Sequence, residues 1–172
     1  MPMITRPEVA NRITNAVDAM DETIKEIRAT IFALQDRDTD RPDLRTDIVS
    51  IVEEMTPLLG FDPSLRLGAG LGGEIKPEVA EQALTALREA LSNAARHAAA
   101  TRVEVTVEVG ADRMLAVQVT DNGTGIPADG RRSGLRNLAS RAEKLGGELQ
   151  LGPADPGESP PGTRLEWRVP LG

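Results

Sequence analysis

The stretch Arg102-Val103-Glu104-Val105-Thr106-Val107-Glu108-Val109-Gly110-Ala111-Asp112-Arg113-Met114-Leu115-Ala116-Val117-Gln118-Val119-Thr120-Asp121-Asn122-Gly123-Thr124-Gly125-Ile126 decides the architecture. Valine at 103, 105, 107 and 109 alternates with Glu104, Thr106 and Glu108, the period of two that a half-buried strand requires. Met114 to Thr120 reads as a second strand, and Gly110-Ala111-Asp112-Arg113 as the hairpin turn between them. A carboxylate, Asp121, stands at the end of the second strand, followed by Gly123 and Gly125. Glycines so spaced let the chain turn tightly and let a flat ligand approach the backbone. An ordinary Asp-Asn-Gly turn has the same letters, so alone the motif leaves both readings open.

Upstream of this stretch, Pro77 to about Ala99 reads as a helix. Val79, Ala80, Ala83, Leu84, Leu87, Leu91, Ala94 and Ala98 form its apolar stripe. At about 100° per residue, Glu89, Asn93 and Arg96 fall on the opposite side. Leu44, Ile48, Ile51, Val52, Met55 and Leu59 give another helix one apolar face, with Gly60 ending it. Ser64 to Leu67 is a candidate strand, and Leu67 to Gly73 a glycine-rich turn. Downstream, a helix from about Leu135 to Leu145 stops at Gly146-Gly147. Strands are expected at Glu148–Leu151 and Thr163–Val169, separated by a proline-rich loop at 153–162. Strands and helices alternate without strict βαβ order. That predicts an α+β fold in two layers, a mixed sheet with helices packed on one face.

The first segment differs in kind. Thr5 and Glu8 have capping-box spacing, and Pro7 falls in the first turn of a helix expected over Arg6 to about Asp36. Ile13, Val17, Met20, Ile24, Ile27, Ile31 and Leu34 then make an a/d seam. Such a seam requires partner helices, because alone it leaves its stripe in water. Asp36 to Pro42 is a polar linker.

Composition excludes several classes of function. The chain of 172 residues has a net charge of −7 with its cations dispersed among carboxylates, so no basic stripe for nucleic acid is present. It contains no cysteine, which removes disulfides, thiolate nucleophiles and zinc–sulfur sites and fits a reducing cytoplasm. Apolar runs are too short to cross a bilayer, so direct membrane contact is not expected. Aromatics are limited to Phe32, Phe61 and Trp167. Any purine that the chain binds must therefore be held mainly by polar contacts and aliphatic packing, not by stacking.

Two further motifs bear on chemistry. Ser133-Gly134-Leu135-Arg136-Asn137 puts a glycine at a helix start, where backbone donors and the helix dipole favour phosphate. Gly162-Thr163 opens the last strand, where a hydroxyl could reach the site. Each is unremarkable by itself. Together, in this order and spacing, they resemble the nucleotide site of the GHKL ATPase superfamily from about residue 42 onward. Glu89-Ala90-Leu91-Ser92-Asn93-Ala94-Ala95-Arg96-His97 looks like its N box. The Asp121–Ile126 run looks like its first glycine box, and Gly134-Leu135-Arg136-Asn137-Leu138 like its second. The short interval from Ile126 to Ser133 implies a short lid. With this N box, it is similar to the sensor histidine kinases that pair with NarL-type response regulators. The segment from Asp21 to Leu34 resembles the second helix of their dimerisation domain.

The resemblance implies a Bergerat-type domain over 41–172, preceded by an incomplete dimerisation domain over 1–40. It implies ATP and Mg²⁺ as ligands, and a homodimeric parent whose own dimerisation helix and cognate response regulator are partners. Asp121 would accept from the adenine amino group, and Asn93 would be the Mg²⁺ ligand. Arg96 and His97 would lie near the phosphates, and Glu89 would be the catalytic carboxylate, holding a Mg²⁺-bound water or polarising the acceptor. Gly123, Gly125, Ile126, Arg132, Ser133, Gly134, Leu135 and Thr163 would complete the pocket. The chain departs from the pattern at Arg132, where related kinases carry glycine. A larger departure is that its sole histidine, His97, lies within the N box rather than on a first dimerisation helix. The phosphoacceptor is therefore expected on a segment upstream of this chain. Two alternatives are a serine kinase of the anti-sigma-factor type, and a nucleotide-gated interaction module without phosphoryl transfer.

Overall fold

A computed structural model of the protein describes residues 43–125 and 133–172. The chain divides into two units, Met1–Arg41 and Pro42–Gly172, and every described element belongs to the second. The helix expected over Arg6–Asp36, the linker to Pro42, Ile126 and Arg132 lie outside the described residues.

Helix α1 spans Leu44–Leu59. Asp43 caps its first turn, its carboxylate accepting from Arg45 N at 3.2 Å and from Thr46 Oγ1 at 3.3 Å. The helix ends where Gly60 takes φ 80° and donates to the Thr56 carbonyl. Leu44, Ile48, Ile51, Val52 and Met55 form its buried face, as their spacing predicts. Strand β1 is Ser64–Leu67.

Helix α2 runs from Pro77 to Asn93, with proline in the first turn where no donor is lost. Its buried face holds Val79, Ala83, Ala86, Leu87, Ala90 and Leu91, broader than the expected stripe by Ala86 and Ala90. The extra members are alanines, and α2 touches the sheet, α1 and the last helix at once. Small side chains permit that crowding.

Strands β2 (Val103–Val109), β3 (Met114–Asp121), β4 (Glu148–Gly152) and β5 (Thr163–Pro170) complete an open five-stranded sheet of order β1-β2-β3-β5-β4. β1 and β2 are parallel, and the other pairs are antiparallel, so the sheet is mixed as expected. The register stacks Val105 beside Val119 and Leu165, and Val107 beside Val117 and Trp167. These residues face the helices and are buried. The opposite face presents Glu104, Thr106, Gln118, Arg164, Glu166 and Arg168. There Arg164 donates to Gln118 Oε1 at 2.9 Å, and Arg168 pairs with Asp112. One apolar face and one polar face confirm the two-layer α+β arrangement with helices on one side.

Helix α3, Ser133–Lys144, begins two residues earlier than its apolar pattern suggests. Gly147 N donates to the Ala142 carbonyl at 2.8 Å and Gly146 N to that of Glu143 at 3.0 Å. This pair of bonds is the Schellman closure that the Gly146-Gly147 pair predicts. Among the described residues no helix is long and apolar enough to cross a membrane.

Trp167 is 0% exposed at the centre of this core. Trp167→Ala is expected to cost about 3–5 kcal/mol through lost burial and the cavity left behind. Urea unfolding followed by circular dichroism checks this; an unchanged midpoint would remove Trp167 from the stabilising core.

Candidate functional site

Asp121 is the last residue of β3, paired with Val103 on β2 and Thr163 on β5. At 8% exposure it is the single buried charged side chain among the described residues. Its Oδ1 accepts from Gly123 N at 2.9 Å, and among the described residues it forms no ion pair. A carboxylate has acceptor capacity well beyond one such bond. A buried carboxylate with acceptor sites to spare is open to a donor from a ligand.

Three backbone segments meet where β3 ends at Asp121. A Cβ added at Gly123 would lie 2.1 Å from the Ala98 carbonyl oxygen and 2.7 Å from Ala98 Cβ, so only glycine fits there. Gly162 N donates to the Gly123 carbonyl at 3.1 Å, and a Cβ at Gly162 would meet Asp121 O at 2.1 Å. Gly125 rests near Pro161, whose Cγ would be 3.1 Å from an added Cβ. Thr163 is half-buried at the same rim. The first glycine box and the Gly162-Thr163 motif are therefore neighbours in space.

The second glycine box meets the N box. A Cβ at Gly134 would fall 2.0 Å from Glu89 Oε1, so the start of α3 lies directly against the Glu89 carboxylate. Leu135 is half-buried and packs on the core. Asn93 is one turn beyond Glu89, and its Nδ2 is buried without a hydrogen-bond partner. An amide NH₂ left unpaired by the fold is a donor open to a ligand oxygen, and only the amide oxygen could bind a cation. Among the described residues no group of three His, Cys, Asp or Glu side chains could hold a metal ion. A cation here would depend on ligand oxygens together with Asn93, a donor set that suits Mg²⁺.

The N-box helix departs from expectation after Asn93. The sequence predicts α-helix to about Ala99, but Ala94–Ala98 forms a π-helical turn, and Ala99 takes φ 48°. The wider turn alters the spacing that grouped Arg96 with Glu89 and Asn93; Arg96 and His97 are both exposed. The structural reason lies next door. Thr124 N donates to the Ala98 carbonyl at 2.8 Å, and Gly123 is seated on Ala98. The end of this helix is shaped to receive the glycine box. Π-turns are rare and recur at functional sites.

The sequence reading assigned no role to Asn122, Pro161 or Gly162. Gly162 left a signal, standing directly before Thr163. Asn122 left none, because its partners Thr101 and Arg102 are remote in sequence.

The family model of the histidine kinase-, DNA gyrase B-, and HSP90-like ATPases matches residues 78–172, a span that contains every candidate above. The nitrate/nitrite sensor protein NarX of Escherichia coli is 32% identical over 148 residues, which are 84% of this chain and 24% of NarX. The chain thus spans about a quarter of that relative's length. Among solved structures, the mycobacterial sensor histidine kinase MprB superposes with a TM-score of 0.56 at 22% identity, covering 75% of this chain and 96% of that one. Full-length ShkA in complex with AMPPNP gives a TM-score of 0.61 at 16% identity, covering 98% of this chain and 40% of that one. At these identities the structures speak for the fold, which is that of histidine kinase ATP-binding domains. A buried carboxylate that opens a glycine-rich turn, an N-box helix against a second glycine box, and a matching family model agree: the chain belongs to the histidine kinase-, DNA gyrase B-, and HSP90-like ATPases.

Proposed function

We propose that this chain is the ATP-binding catalytic part of a sensor histidine kinase of the kind that pairs with NarL-family response regulators. Residues 41–172 form its catalytic domain, and residues 1–40 contribute the second helix of a dimerisation domain. The observation that carries this reading is Asp121, a buried carboxylate that accepts from Gly123 N and forms no ion pair among the described residues. The adenine amino group is the neutral donor that such an acceptor selects, which favours ATP over GTP. ShkA, of similar fold, is described in complex with AMPPNP, and NarX is a sensor protein. These relatives favour a histidine kinase over a serine kinase of the anti-sigma-factor type.

ATP would supply the phosphoryl group and Mg²⁺ would neutralise its charge. The chain's own residues then position and screen. Asp121 fixes the base, while Gly123, Gly125 and Gly134 bring main chain close to the ligand. Asn93 offers its amide oxygen to the cation. Arg96, His97 and Arg132 contribute positive or donor groups near the phosphates. Glu89 holds a water or polarises the attacking imidazole. Ile126, Ser133, Leu135 and Thr163 complete the walls. Catalysis of this type is chiefly positioning plus electrostatic stabilisation. The acceptor is a histidine of a dimerisation helix, the working unit is a homodimer in the cytoplasm where ATP is supplied, and the response regulator receives the phosphoryl group.

Asn93→Ala tests the metal assignment. It is expected to weaken Mg²⁺-dependent binding of an ATP analogue by roughly tenfold or more, the range for loss of one charge-assisted contact. Metal-free binding should stay nearly unchanged by calorimetry. Equal losses with and without Mg²⁺ would make Asn93 a structural residue.

A further inference from the structure

Asx residues in tight turns ordinarily bond to their own backbone two residues on. In this chain Asp121 takes that part, its Oδ1 accepting from Gly123 N. The side chain of Asn122 is thereby free to reach elsewhere, and it reaches the segment that leads into β2. Its Oδ1 accepts from Thr101 N at 3.0 Å and from Arg102 N at 2.9 Å, while its Nδ2 donates to Thr101 Oγ1 at 2.9 Å. All three partners belong to the link between the π-turn and β2. The backbone adds to the same seam, since Asn122 N donates to the Arg102 carbonyl at 3.2 Å and Thr124 N to that of Ala98 at 2.8 Å.

We infer that Asn122 is a positioning residue, a clamp that fixes the distance between the base-holding Asp121 and the N-box end that carries Asn93, Arg96 and His97. This inference rests on the nucleotide reading above. A nucleotide spans both halves of the site, with its base at one and its phosphates at the other. Its affinity therefore exceeds that of a fragment only while the two halves stay in register. The glycine box follows immediately on Asp121, and the N-box helix ends in an irregular turn. Beyond Val103–Asp121 the β2–β3 pairing adds only the bond from Asn122 N to the Arg102 carbonyl. Three side-chain bonds from one exposed residue hold this junction. Asn122 touches no ligand; it acts through Asp121 and the π-turn.

The test compares a long ligand with a short one on the folded 172-residue chain. Binding of adenosine, and of a non-hydrolysable ATP analogue with Mg²⁺, is measured by calorimetry for the wild type, Asn122→Ala and Asn122→Asp. In the wild type the Mg²⁺–triphosphate should add a large gain over adenosine. In Asn122→Ala that gain is expected to fall about tenfold, the equivalent of one or two net hydrogen bonds, with adenosine affinity little changed. Asn122→Asp keeps both acceptor bonds to Thr101 N and Arg102 N, and the Thr101 hydroxyl can turn to donate. It should restore most of the gain. A simple loss of folded protein would lower both ligands together and would not be rescued in this pattern. An unchanged gain in a folded Asn122→Ala, or parallel losses for both ligands, overturns the clamp. Failure of the wild type to bind either ligand would instead remove the nucleotide reading on which it rests.

Discussion

Asp121→Asn is expected to abolish ATP binding at ordinary ligand concentrations and to leave the fold intact. The two side chains have nearly the same shape, so packing between Val103 and Thr163 is preserved. Asparagine retains one acceptor, and the buried N–H of Gly123, 2.9 Å from Oδ1 in the native chain, will claim it. The amide NH₂ is then left facing the base. At the proposed adenine contact, a carboxylate acceptor is thereby exchanged for a donor that opposes the amino group. Mismatch of a buried polar group costs about 1–3 kcal/mol, roughly a 5- to 150-fold loss in affinity. The lost charge assistance adds to that. Calorimetric titration of the variant, with circular dichroism to establish folding, reads both halves of the expectation. Near wild-type affinity would take Asp121 out of the adenine site.

The second large effect concerns phosphoryl transfer. The chain alone is expected to bind ATP and Mg²⁺ yet acquire no label on histidine from ATP carrying a radioactive γ-phosphate. In-line transfer requires a nucleophile opposite the leaving oxygen, roughly 3–3.5 Å from phosphorus. The sole imidazole is that of His97, in the π-turn Ala94–Ala98, whose end is bonded to the glycine box through Ala98. The His97 carbonyl is itself engaged by Thr124 Oγ1 at 3.5 Å. With its backbone held in this turn, His97 has only side-chain rotation with which to reach the in-line position, and we expect that not to suffice. A polypeptide carrying a first dimerisation helix with its histidine, added in trans, should become labelled instead. Acid-labile, base-stable label on this chain would refute the argument. Label on serine would favour the anti-sigma-factor alternative.

Much of this was legible in the sequence because its signals are local. The Val103–Val109 alternation, Gly60 and the Gly146-Gly147 pair report on their own neighbourhoods, and the structure follows them to within two residues. The meetings of Asp121 with Thr163 and of Gly134 with Glu89 were legible only through the resemblance, since no periodicity brings either pair together. What stayed hidden has one physical origin. The π-turn and the Asn122 bonds arise from the docking of the glycine box onto Ala98, a contact between segments some twenty residues apart. The breadth of the α2 face, with Ala86 and Ala90 buried, likewise reflects what surrounds the helix rather than its own period.

The burial of Trp167 has a spectroscopic consequence. It is the single tryptophan, and the chain has no tyrosine, so one indole in the middle of β5 supplies nearly all the intrinsic fluorescence. That indole is flanked by Val117 and Leu149 on the neighbouring strands, with its Nε1 shielded from water. Its emission will therefore resemble that of an indole in hydrocarbon and shift to the red when the sheet opens. The protein carries its own optical reporter of sheet integrity, one that no exposed fluorophore dilutes.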